Sequence, residues 1–104
     1  MKTIDIFRAV MSKKYAIEIL KELNKGDQTF TGLKDAISAE HNSQVDRVLK
    51  FLIRFALVSH IIQSVAPTEI SFYRINQRGK DILKLYVMME EADEKAEGIS
   101  LSAK

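Results

Sequence analysis

The stretch NSQVDRVLKFLIRFALV, residues 42–58, decides how the rest of the chain is read. Val45, Val48, Leu49, Leu52 and Ile53 recur at three- and four-residue spacing, which lays an apolar stripe along a helix. Asn42 or Ser43 stands where a side chain can cap the first turn. From Leu57 the period changes. LVSHIIQ, residues 57–63, is rich in β-branched residues and predicts a strand. The helix at 43–55 therefore runs into a strand through Phe55, Ala56, Leu57 and Val58.

Downstream, SVAPTE holds the only proline and predicts a loop. ISFYRI follows as the partner strand, with Ile70, Phe72 and Ile75 in imperfect alternation. Asn76 is placed to cap a last helix over about 77–96, and GISLSAK, residues 98–104, is expected to be a flexible tail. Upstream, SAEHNS at 38–43 fits a turn between two helices. The earlier helix carries Leu33, Ala36 and Ile37, with Thr31 as its expected cap. GDQTF supplies a turn and a short extended piece. Residues 3–11 and 13–24 have helical spacing, and Gly26 is the expected stop of the second. The order is helix, helix, short strand, helix, helix, strand, strand, helix.

A chain of 104 residues, 46% of them hydrophobic, is long enough for one domain with one core, expected over 1–97. No apolar run reaches the length that crosses a bilayer, so no membrane partner is expected. MKTIDIFRAVMSKKY lacks the apolar core and cleavage site of a signal peptide. The chain has no cysteine, which excludes disulfides, thiolate metal sites and thiol redox sensing and fits a cytoplasmic protein. The net charge is +2, and residues 42–63 and the first thirty residues each carry a net +2, against −1 for 76–104. A nucleic-acid surface is therefore expected on the first two regions, but the excess is small for a non-specific DNA coater.

His41 and His60 are the only histidines, and neither belongs to a ligand cluster, so no metal site is expected. Gly-rich phosphate loops, nucleophile motifs and paired carboxylates are missing too. No catalytic residue and no cofactor is expected, and an enzyme is the least favoured reading.

Two stretches carry a resemblance. Leu49, Lys50, Phe51 and Leu52 followed by Phe55, Ala56, Leu57 and Val58, and then Tyr73, Arg74, Ile75, Asn76, Gln77, Arg78 and Gly79, resemble winged helix-turn-helix transcriptional regulators, especially the HxlR, ArsR and MarR-like groups. YAIEILKELNKGDQTFTGLKDAI is similar to the HxlR-type opening, and the resemblance covers about 13–90. Ala56 departs from it, standing where the family pattern has glycine at the helix end, and Phe55 is bulkier than the usual residue. The cysteines of redox- and metal-responsive relatives are absent.

The resemblance implies an α+β fold, mainly α: a winged helix-turn-helix with a two- to three-stranded β wing and a C-terminal dimerisation helix. It places the helix at 43–55 in the major groove, with Ser43, Gln44, Arg47 and Lys50 outward. Arg47 suits guanine and Gln44 adenine, while Ser43 and Lys50 suit phosphate. Asp46 is expected to pair with Lys50 one turn on. Thr31, Lys34 and Arg74 complete the expected DNA contacts, and Lys13, Lys14 and Thr29 are further phosphate candidates. The wing tip has no lysine or arginine, so its contribution is expected to be weak. Ile82, Leu85, Tyr86, Met89 and Ala92 are expected to form a homodimer interface, helped by Ile4, Phe7 and Met11. The expected function is sequence-specific double-stranded DNA binding as a homodimeric transcriptional regulator. The alternative is a winged-helix module for protein association without DNA binding. The plain reading of each charged residue is a solvated helix face.

Overall fold

The computed structural model describes residues 2–102, without the side chains of residue 65 and of residues 98–102. Five helices and one hairpin follow in the order α1 (Thr3–Met11), α2 (Ala16–Lys25), α3 (Phe30–Ala36), α4 (Asn42–Arg54), β1 (Val58–Val65), β2 (Thr68–Ile75) and α5 (Gln77–Ser102). The α+β expectation and the element order hold. α2 is the hub of the packing, touching α1, α3, α4, α5 and β2. It buries Ala16, Ile17, Ile19, Leu20 and Leu23, and Leu33, Val45, Leu49, Leu52 and Ile82 close over them. Each of these leaves water with its whole side chain, a transfer of about 1.5–3 kcal/mol for the larger ones before entropy is counted.

The helix starts differ from expectation. The cap of α3 is Thr29, whose hydroxyl accepts from the Gly32 amide at 3.0 Å, so Thr31 lies inside the helix on its exposed side. The N-cap of α4 is His41, with no side-chain cap, and Asn42 and Ser43 are already helical. Cap chemistry alone could not choose between neighbouring polar residues, because the choice depends on where the chain leaves extended geometry. α2 starts at Ala16, after Tyr15 in the left-handed region at φ 71°, so Lys13 and Lys14 belong to a loop. α5 continues past residue 96 to Ser102, so residues 98–102 of the expected tail are helical; residues 103–104 lie outside the described residues.

β1 and β2 pair antiparallel from Val58 with Ile75 to Val65 with Thr68. The expected loop at 64–69 is thus a tight turn through Ala66 and Pro67. Val58, Tyr73 and Ile75 are the strand residues buried in the core. Phe72 and Ile70 therefore point to the opposite face from Ile75, since successive strand residues alternate sides. Gln28 adds an isolated bridge to Tyr73, the remnant of the expected short strand.

The two stretches that dictated the reading meet at the root of the hairpin. Ala56 takes φ 60°, a conformation that favours glycine. The Leu57 amide donates to the Leu52 carbonyl at 2.9 Å, which closes the end of α4. Asn76 does not cap α5 with its side chain. Its amide donates to the Ala56 carbonyl at 3.1 Å, and its oxygen accepts from the Ser59 hydroxyl at 2.7 Å. Arg78 donates to the Phe55 carbonyl at 3.3 Å. Gly79 is required by close approach: a Cβ there would lie 2.3 Å from the Leu57 carbonyl oxygen and 2.7 Å from Ile75 Cγ1. Among the described residues, no helix is long and apolar enough to cross a membrane.

Candidate nucleic-acid interface

α3, the turn at 37–41 and α4 form two helices in contact. α4 buries Val45, Val48, Leu49 and Leu52, and this turns Ser43, Arg47 and Lys50 to solvent. Gln44 is only half-exposed. It lines a cleft of about 230 Å³ with Lys13, Lys14, Tyr15, Arg47 and Val48. Its amide oxygen is buried without a hydrogen-bond partner, an arrangement that costs about 1–3 kcal/mol.

The Asp46–Lys50 pairing is present at 2.8 Å. The Asp46 carboxylate holds the Lys50 ammonium above the usual lysine range. Lys50 therefore presents a neutralised pair rather than a bare cation. Arg74 is committed more fully. Its guanidinium grips Asp27 through Nε at 3.1 Å and Nη2 at 2.8 Å, and its carbon sits 5.7 Å from the Phe72 ring centroid. The hydrogen bonds from Arg74 lower the Asp27 pKa below the usual carboxylate value. Arg74 thus ties the hairpin to the segment between α2 and α3. Lys34 is half-buried and Thr31 exposed, both on α3. The structure brings Ser43, Gln44, Arg47 and Lys50 together on one helix, while Arg74 stands apart with its own carboxylate. The hairpin exposes Ile62 and Ile70, and His60 stacks on Tyr73 with centroids 4.4 Å apart.

No protein-family model matches the chain, and no curated protein matches it either. Solved structures do. The chain is similar to a MarR-family transcriptional regulator from Enterococcus faecalis V583, at 14% identity over 95% of this chain and 89% of that one, with a TM-score of 0.84. An HTH-type regulator, YtcD, matches at 16% identity over 94% and 99% of the two chains, with a TM-score of 0.76. A possible HxlR-family factor from Thermoplasma volcanium GSS1 matches at 21% identity over 86% and 79%, with a TM-score of 0.66. The fold is a winged helix-turn-helix.

In that winged helix α3 and α4 are the helix-turn-helix, and the β1–β2 hairpin is the wing. The wing has two strands, with the Gln28 bridge at its root. Of the residues expected on the dimer face, Ile82 is fully buried in the core of the chain itself and so offers no surface to a partner. Tyr86 is half-buried, packed on the core beneath the Lys21 ammonium, which lies 5.0 Å from its ring centroid. Burial, helped by Glu90, raises the Tyr86 phenol pKa. Leu85, Met89 and Ala92 do remain outside. With Ile4, Phe7 and Met88 they line an apolar groove of about 270 Å³ between α1 and α5. Met11 is exposed, Leu83 is buried, and Val87 is exposed on the other flank of α5.

Sequence reasoning named Lys13 and Lys14 without tying them to α4. The fold of the winged helix sets them beside Gln44 and Arg47, about thirty positions later in the chain. The signal that could have found them is their place just before α2, which packs against α4. Among the described residues, no group of three or more histidines, aspartates or glutamates could hold a metal ion.

Proposed function

We propose that the chain is a homodimeric, sequence-specific binder of double-stranded DNA that regulates transcription. The observation that carries the reading is the solvent-facing strip Ser43–Arg47–Lys50, which runs along about two turns of the second helix of the helix-turn-helix. A helix held in that position enters the major groove with its N-terminal residues at the base edges. Arg47 is the base reader, because its planar fork matches O6 and N7 of guanine. Ser43 positions the helix on phosphate, and Lys50 joins it once it exchanges Asp46 for a phosphate oxygen. Gln44, half-buried, assists from the flank and does not read adenine in the arrangement it now has. Thr31 and Lys34 reach the backbone from α3. Arg74 is a strut of the wing and contributes no cation to DNA.

The apolar groove formed by Leu85, Met89 and Ala92 with α1 is the dimer contact. It is rich in large exposed side chains, which a single small domain does not bury. Two-fold symmetry then puts half-sites about 10 base pairs apart, or a multiple of that. The support is the exposed pattern together with the regulators that share the fold. One observation favours the other reading, protein association without DNA: the wing exposes Ile62 and Ile70 and carries no cation at its tip.

Salt titration separates the two. Fluorescence anisotropy of a labelled mixed-sequence duplex is expected to show affinity falling steeply and linearly on a log–log plot against salt. Absence of measurable DNA binding at low salt, with a folded dimer confirmed by sedimentation, would refute the DNA reading.

A further inference from the structure

We propose that Lys13 and Lys14, with Arg47, form a clamp for a backbone phosphate of DNA on the flank of α4 that faces away from the wing. This rests on the DNA-binding reading above. The loop at 12–15 and the side of α4 carrying Gln44, Arg47 and Val48 enclose one cleft. Its lining holds three cations and no carboxylate. Several other cations near the helix-turn-helix are paired with carboxylates. Lys50 is paired with Asp46 at 2.8 Å, Arg74 with Asp27 at 2.8 Å and Lys25 with Glu22 at 3.0 Å. Lys13, Lys14 and Arg47 have no carboxylate within 4.0 Å among the described residues. Three like charges drawn to one cleft repel, and an anion between them relieves that repulsion.

The lysines are also held in place. The Lys13 ammonium sits 5.3 Å from the centroid of Phe51, itself on α4, and the Lys14 ammonium 5.0 Å from that of Tyr15. Such contacts cost a lysine part of its freedom before any ligand arrives. At 100° per residue, Gln44, Val48 and Phe51 cluster on one flank of α4. Asp46 falls on the other, where its charge helps to raise the pKa of Tyr73 in the wing. Arg47 lies between the exposed centre of the helix and the lysines. A helix in the major groove has a phosphate strand along each rim, so the rim beside Arg47 meets the clamp. Two ammonium groups and a guanidinium fork suit a phosphodiester's paired oxygens.

The test uses the full chain and a labelled mixed-sequence duplex, titrated at several salt concentrations, for wild type, K13Q/K14Q, K14Q alone and K13R/K14R. The double glutamine variant should bind roughly tenfold more weakly at low salt, with a salt slope shallower by about 2, because two phosphate contacts are gone. Its base preference should be unchanged. K14Q, which leaves the Lys13–Phe51 contact intact, should lower the slope by about 1, and K13R/K14R should restore most of the binding. Unchanged affinity and slope in the glutamine variants, with wild type still binding DNA, would overturn the clamp and leave the DNA reading standing. No DNA binding by wild type would overturn both. A parallel titration with inorganic phosphate separates the sources: saturable binding of phosphate lost in K13Q/K14Q, without any change in DNA slope, would assign the cleft to a free anion and overturn the proposal.

Discussion

The two flanks of α4 are built for different work. On one side the loop at 12–15 brings Lys13 and Lys14 beside Gln44 and Phe51, with no carboxylate within 4.0 Å of either ammonium among the described residues. On the other, the wing meets the helix with its charges already spent: Asp46 holds Lys50, and Asp27 holds Arg74. The wing is tied down near its root by the Arg74–Asp27 pair, and its tip carries Glu69 with no lysine or arginine. Basic residues around α4 are therefore not equivalent. A cation with a carboxylate partner must break that pair before it can serve a phosphate, whereas an unpaired one gains the whole interaction.

The comparison breaks first at the wing root. Gly79→Ala drives a methyl group into the Leu57 carbonyl and Ile75. Overpacking against backbone should destabilise the fold by about 2–3 kcal/mol, seen as a lower midpoint in urea at unchanged slope. A neutral result would mean that the hairpin does not depend on this close approach. Next comes the helix itself. Arg47→Ala should weaken DNA binding by about 1–3 kcal/mol and relax preference at one base position, measured by competition between duplexes. Ala56→Gly goes the other way. Relief of the left-handed strain at φ 60°, less the extra freedom of unfolded glycine, should stabilise by about 0.5–1 kcal/mol. Chemical denaturation checks the sign.

The smallest effect is expected from the exposed wing strut. Arg74→Gln should leave DNA affinity within about twofold, since the guanidinium was never free to meet phosphate. Its trace is instead in acid. The native-state pKa of Asp27 lies below its ordinary value of 3.8, so the pair contributes fully above that pH. The contribution is lost as pH falls through the lowered native value. Wild type and Arg74→Gln should therefore differ slightly above pH 3.8 and converge in stability as pH falls through the lowered native value. A gap that widened in acid would contradict the pairing.

Much of this was legible in the chain. Residues 3–11 have the bounds of α1, and Val45, Val48, Leu49 and Leu52 of the expected stripe are the buried face of α4, while Ile53, expected with them, is exposed. Ala56 stood out as a non-glycine at a strained helix end, and its positive φ agrees. The Asp46–Lys50 pair followed from i,i+4 spacing. What escaped was set by tertiary geometry. Thr29 rather than Thr31 caps α3 because the chain turns one step earlier. Ile82 is core because α5 lies across α2, which no count of apolar residues on α5 reveals. The Asp27–Arg74 pair spans 47 positions, and the lysine cleft about thirty, so neither has a local signature.

The proposed function stands or falls with Arg47 as the base reader of α4. Selection of bound duplexes from a random pool, run in parallel with wild type and Arg47→Ala, is the decisive experiment. Wild type should enrich an inverted repeat with half-sites about 10 base pairs apart, or a multiple, and Arg47→Ala should lose preference at one position in each half-site. An unenriched pool, or the same motif recovered with both proteins, would contradict it.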